Sequence, residues 1–250
     1  MAIGPIGACV TSRRVLLALL TSLACAAQPC VLTIAAASDL GPFRNSFAEQ
    51  FQKTHSCRLV FTFSSSGQLA SQIEQGAPYD LYLSANEELV RKLGERGLIE
   101  PSTIAVFARG RLGLWAPASG QPINLRDLSA AQYKKIAIAN PSHAPYGMAA
   151  KQALEKVGRW EGLRDRLVLA ENVRQALQFA ETGNVDAVIA SWSLLRTKPG
   201  AILLDLKLHQ EIRHTAGIVK RSSNQVSSRV FVDWLARGEG RKILLEAGFY

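Results

Sequence analysis

Short apolar runs alternate along the chain with segments whose apolar residues recur at helical spacing. Residues 31–37 are a nearly continuous apolar run of strand length, and Leu40, Phe43, Phe47 and Phe51 then recur three or four positions apart. Residues 59–63 predict a second strand, followed by a helix carrying Leu69, Ala70 and Ile73. Residues 80–84 predict a third, followed by a helix carrying Leu89, Val90 and Leu93. Such a rhythm implies a parallel sheet with helices on its faces. Extended segments follow at 104–108 and 112–116, and then the rhythm resumes. Strands are expected at 136–139, 167–169 and 187–190, and helices at 148–157 and 173–180. Residues 202–206 and 216–219 read as strands, and 226–237 and 240–247 as closing helices.

This order predicts an α/β chain of two lobes, each a mostly parallel sheet flanked by helices. Residues 27–108 with 219–250 make lobe I, and residues 109–218 make lobe II. Residues 1–26 read differently. Arg13 and Arg14 precede an apolar stretch over 15–20 and Leu23, which ends in the small residues Ala24-Cys25-Ala26. That is the form of a cleavable signal peptide, and the stretch falls short of the roughly 20 residues a membrane span needs. The expected destination is the periplasm. Ser22-Leu23-Ala24 before Cys25 also resembles an imperfect lipobox, which leaves lipidation of Cys25 as an alternative to simple cleavage.

Of the 4 cysteines, Cys9 and Cys25 fall within this leader. Cys30 and Cys57 each stand one residue before an expected strand. If those strands are parallel neighbours, their starting ends adjoin and a disulfide is sterically reasonable, favoured by an oxidising compartment. Two free buried thiols are the alternative. The formal net charge of +9 in 250 residues allows binding to anionic partners. No run of five like charges occurs, so no stripe that tracks a nucleic-acid backbone is visible. The 4 histidines show no metal-ligand spacing, and His143 lies in a turn between Pro141 and Pro145. No P-loop, dinucleotide fingerprint or nucleophile elbow is present.

The informative segments follow the strands. Ala37-Ser38-Asp39-Leu40, Ser64-Ser-Ser66-Gly67-Gln68, Asn140-Pro-Ser-His-Ala-Pro-Tyr146-Gly147 and Glu171-Asn172-Val173-Arg174 are four strand-to-helix turns. Ligands of open α/β sheets bind at that end. A helix start offers unpaired N–H groups and the positive end of a dipole. Hydroxyls at Ser38 and Ser66 add donors, and Gly67 and Gly147 let backbone approach closely. Any one of these turns is explained equally well by plain helix capping. Four converging on one cleft would hold a small oxyanion with neutral, fixed donors and no lysine or arginine in contact. Arg174 is the one cation beside them, placed to bridge the lobes, to steer anions, or simply to lie in solvent.

Ala35-Ala-Ala-Ser38, Phe63-Ser-Ser-Ser66 with Leu69-Ala70 and Gln72-Ile73, and Gly76-Ala-Pro-Tyr-Asp80-Leu-Tyr-Leu-Ser-Ala85 resemble the periplasmic molybdate-binding proteins of ABC importers. Asn140-Pro-Ser-His-Ala-Pro-Tyr-Gly147 and Glu171-Asn-Val-Arg-Gln-Ala-Leu177 continue the likeness in order over most of the chain. The resemblance implies the two-lobed periplasmic binding protein fold, closing on molybdate or tungstate, with a membrane ABC permease as partner. It implies a monomer with no cofactor, no catalytic activity and no nucleic-acid partner. Ser38 and Ser66 match the family's first-lobe hydroxyl ligands. Asp39 would offer its backbone N–H, with its carboxylate turned away. Tyr146 and Val173 would offer backbone N–H groups from lobe II. The chain departs from the family at Ala190-Ser191-Trp192, where many members carry a tyrosine whose hydroxyl reaches the anion; Tyr146 is expected to supply that hydroxyl instead. Alternatives are a binding protein for sulfate or phosphate, or an enzyme on the same two-lobed fold.

Overall fold

The computed structural model describes residues 1, 2, 4 and 30–250, so the leader expected over 1–26 lies, those three apart, outside the described residues. β1 (Cys30–Ala37) runs into a 3-10 turn, Ser38–Phe43, and helix α1 (Arg44–Gln52). β2 (Cys57–Ser64), α2 (Ser66–Glu74), β3 (Leu81–Ser84), α3 (Glu87–Glu95) and β4 (Ala105–Gly110) complete the first passage. The second lobe holds β5 (Leu112–Trp115), β6 (Ile136–Ala139), α4 (Pro145–Lys156), α5 (Trp160–Leu163), β7 (Leu167–Ala170) and α6 (Val173–Glu181). β8 (Ala187–Ser191), α7 (Trp192–Leu195) and β9 (Ile202–Leu203) finish it. β10 (Ile212–Ile218), α8 (Gln225–Arg237) and α9 (Glu239–Glu246) return to the first lobe.

Each lobe is built on one five-stranded sheet, in the orders β2-β1-β3-β10-β4 and β7-β6-β8-β5-β9. β1 pairs in parallel with β2 and β3, and β6 in parallel with β7 and β8. β10 and β5 run antiparallel to their neighbours, so both sheets are mixed. Successive residues of β1 face opposite layers, as strand geometry requires. Leu32 and Ile34 join Phe47, Phe51, Phe231 and Trp234 on one face. Ala35 joins Leu69, Ile73, Tyr82 and Val90 on the other. Phe51 packs edge-on against Phe231 and Trp234, with centroids 5.0 and 5.4 Å away, which ties α8 to α1. Burial of each such ring contributes roughly 1.5–3 kcal/mol.

Three expectations change. β10 belongs to the first sheet, so the boundary at 218 had put it in the wrong lobe. Its polar residues Arg213, His214 and Thr215 hide it from an apolar reading, yet His214 and Thr215 are fully buried between β3 and β4. Leu40 and Phe43 lie on the 3-10 turn rather than on an α-helix, because Gly41 and Pro42 interrupt the segment and α1 starts at Arg44. The strand expected over 202–206 is two residues long, and Asp205 instead caps a 3-10 turn by accepting from the Lys207 N–H.

Cys30 and Cys57 face each other in register at the starts of β1 and β2, with Cα atoms 4.5 Å apart, and are joined by a disulfide. The link closes a loop with a sequence separation of 27. Restricting a loop of that size in the unfolded chain is worth about 3 kcal/mol. The double variant C30A/C57A is therefore expected to lose about that much stability in equilibrium urea unfolding. An unchanged midpoint would show that the link restrains nothing the folded lobe does not already restrain.

Candidate functional site

β1, β2, β6 and β7 all end at the cleft between the lobes, and each hands over to a helical start. Ser38 opens the 3-10 turn after β1. After β2, Ser65 caps α2, its Oγ accepting from the Gln68 N–H at 3.4 Å. After β6, Asn140 organises the turn by accepting the N–H of Ser142 at 3.0 Å and its hydroxyl at 2.9 Å. After β7, Asn172 caps α6 through Oδ1, which accepts from Arg174 and Gln175 at 3.1 and 3.0 Å. The four starts surround a small cavity. Ser38, Asp39, Ser66, Tyr146 and Val173 all line it, so the structure brings together the five residues expected to bind the anion, whereas Arg174 and His143 lie outside it.

The caps decide which amides remain available. Asn172 takes the N–H groups of Arg174 and Gln175, which leaves that of Val173 outside the cap. Pro145 is the first residue of α4 and has no N–H, so Tyr146 supplies that helix's first amide. At α2 the Gly67 N–H crosses the cleft to the His143 carbonyl at 2.9 Å, and Ser65 receives Gln68, leaving the Ser66 amide. Ser66 Oγ accepts from the Ala85 N–H at 3.0 Å, which orients the hydroxyl and leaves its proton to donate. The Ser66 carbonyl is held in turn by the Tyr82 hydroxyl at 2.6 Å. Burial pushes the Tyr82 phenol well above its ordinary range, so it remains a donor. No lysine or arginine lines the cavity among the described residues. Apart from the Asp39 carboxylate, the wall thus offers neutral N–H and O–H donors, which suits a compact anion.

Asp39 is fully buried, and its carboxylate is engaged from across the cleft. Tyr146 Oη donates to Asp39 Oδ2 at 2.7 Å, and His214 Nε2 lies 3.3 Å from the same oxygen. The Tyr146 hydroxyl proton is therefore directed at a carboxylate rather than into the cavity. The hydroxyl also stands where a side chain at Gly110 would be, 2.2 Å from an added Cβ. Burial, and then the negative charge of Asp39, raise the Tyr146 phenol well above its usual value, so this donor keeps its proton. Asp39 Oδ1 and His214 Nδ1 have no partner among the described residues. The His214 ring is enclosed edge-on by Phe107 and Phe249. Sequence reasoning missed His214, because it lies 68 residues from Tyr146 on the polar first half of β10, ahead of the apolar residues that read as a strand.

Further contacts join the lobes beside the cavity. His143 Nδ1 lies 2.9 Å from Ser65 Oγ, and Gln68 Nε2 donates to Glu171 Oε2 at 2.5 Å. A Cβ at Gly67 would stand 2.6 Å from the His143 carbonyl oxygen. A Cβ at Gly147 would stand 2.1 Å from that of Ala139. The close approach that these glycines permit is thus of protein backbone to protein backbone.

Residues 32–250 match the family model described as bacterial extracellular solute-binding protein. The molybdate-binding protein ModA of Rhodobacter capsulatus is 31% identical over 76% of this chain and 77% of its own length. ModA of Azotobacter vinelandii is 30% identical over 91% of this chain and 92% of its own. The solved Azotobacter vinelandii periplasmic molybdate-binding protein superposes with a TM-score of 0.82 at 28% identity, covering 88% of this chain and 98% of that one.

Removing the Tyr146 hydroxyl should leave the buried Asp39 carboxylate short of a donor. Y146F is expected to destabilise the ligand-free protein by about 1–3 kcal/mol in chemical denaturation. A loss below a few tenths would mean that water or a rearranged His214 replaces the bond without cost.

Proposed function

We propose that this chain, which belongs to the bacterial extracellular solute-binding protein family, captures molybdate between its lobes and delivers it to the membrane permease of an ABC importer. The observation that carries this reading is the convergence of four helical starts from both lobes on one small cavity lined by neutral donors. The names of its relatives at 30–31% identity support it. The donors are Ser38 and Ser66 through their hydroxyls and Asp39, Tyr146 and Val173 through their amides. The protein acts as a monomer, without a cofactor and without catalysis. It reaches the periplasm by cleavage of the leader over residues 1–26.

Fixed dipoles suit a dianion because they need no reorganisation and bury no second full charge. Selectivity is then a matter of reach. Tungstate is nearly the size of molybdate and binds alike. Sulfate is smaller and leaves donors unmatched, each at about 1.5–3 kcal/mol. Two such losses separate the ions by roughly two to four orders of magnitude in affinity. One observation favours a second reading: the unpartnered Oδ1 of Asp39 could accept a proton from hydrogen phosphate.

Calorimetric titration with molybdate, tungstate, sulfate and phosphate tests both readings. Molybdate and tungstate are expected to bind with similar affinity, far above sulfate, and S66A is expected to weaken molybdate binding by roughly 10- to 150-fold. Tighter binding of phosphate would favour the second reading, and no heat with any of the four would overturn both.

A further inference from the structure

Beyond the small cavity the cleft widens into a second space of about 770 Å³, and Ser38 lines both. We propose that this mouth is an encounter site for hydrated oxyanions, in which Arg174 sets the rate at which an anion reaches the inner cavity. The proposal rests on the oxyanion reading of that cavity.

Four charged side chains line the mouth: Arg174, Arg196, Lys198 and Glu181. Lys198 Nζ is 2.6 Å from Glu181 and lies over the Trp115 ring, so this pair cancels. Arg174 and Arg196 make no ion pair among the described residues and leave the mouth with two uncompensated positive charges. Both belong to lobe II. The facing wall from lobe I carries Pro42, Phe43 and Phe63. An apolar wall opposite unpaired cations confines their field to the cleft and raises the local anion concentration.

Arg174 is also positioned across the gap. It follows Val173, whose amide lines the inner cavity, and Asn172 fixes its backbone N–H. Its guanidinium reaches lobe I at Gly41, where an added Cβ would stand 2.9 Å from Nη1. Gly41 is not among the glycines at positive φ, so its bare Cα makes room for the arginine rather than for a turn. The guanidinium thus lies over the turn that begins at Ser38, outside the set of amides and hydroxyls. A charge there attracts every dianion alike and cannot distinguish one from another. Collection and selection are divided between the two spaces: the arginines gather anions, and the neutral donors within choose among them.

Stopped-flow tryptophan fluorescence with molybdate tests this on the intact protein from about 10 mM to about 500 mM salt, over which the screening length shrinks from ~30 Å to a few ångströms. Wild type is expected to associate more slowly as salt rises. R174Q should lower the low-salt association rate roughly three- to tenfold and flatten the salt dependence. R174K should restore most of both, and the calorimetric ratio of molybdate to sulfate affinity should stay as in wild type. Association by R174Q at the wild-type rate across the salt range would overturn the proposal, as would a changed ratio. R174K reports on the same charge if R174Q folds poorly by circular dichroism. Failure of wild type to bind molybdate at all would instead overturn the function reading on which the site rests.

Discussion

A helix that starts where a strand ends leaves its first amides without intrahelical acceptors, and something must receive them. In this chain the capping side chains receive some and leave others. Asn172 takes the second and third amides of α6 but not the first, and Ser65 takes only one in α2. What remains is a ring of donors from two lobes around one small cavity. A doubly charged ion placed there would satisfy amides that otherwise face a cavity, so binding the ion and completing the helix starts are one event. The rest of the molecule serves to hold those starts at the right separation.

The sheets provide that separation. β4 and β10 carry the chain between lobes, and they pair with one another in the first sheet, so the two crossings form one antiparallel ribbon. A hinge of that kind permits rotation while keeping the strand ends facing each other. Across the cleft, the Gly67 amide on the His143 carbonyl and the Tyr146 hydroxyl on Asp39 fix the juxtaposition. The Asp39 contact has an electrostatic consequence as well. A carboxylate in the wall of an anion cavity opposes the anion unless its charge is engaged, and Tyr146 and His214 engage it from α4 and β10.

Charge is thus distributed by distance. The cavity wall offers uncharged dipoles in fixed positions, apart from the Asp39 carboxylate that Tyr146 engages. Cations stand outside, Lys198 paired with Glu181 and Arg174 and Arg196 without an ion pair among the described residues, where they act over several ångströms without discriminating. This division also explains why a strongly basic chain shows no basic residue in that cavity among the described residues.

Strand and helix order, the two-lobe architecture and the four turns were legible in the sequence because each rests on local signals. Apolar runs make strands, and Ser, Asn and Pro at fixed places start helices. Ser38 and Ser66 stand out for the same reason, whereas the roles of Asp39, Tyr146 and Val173 came from the resemblance to the molybdate-binding proteins. The sequence did not determine which sheet β10 joins, since its buried His214 and Thr215 look polar until neighbouring strands enclose them. Nor did it determine where the Tyr146 hydroxyl goes. That depends on Asp39, 107 residues away, and on Gly110 and His214 leaving room and a partner. Local periodicity fixes which residues begin a helix, but only the tertiary structure decides which distant group a buried proton meets.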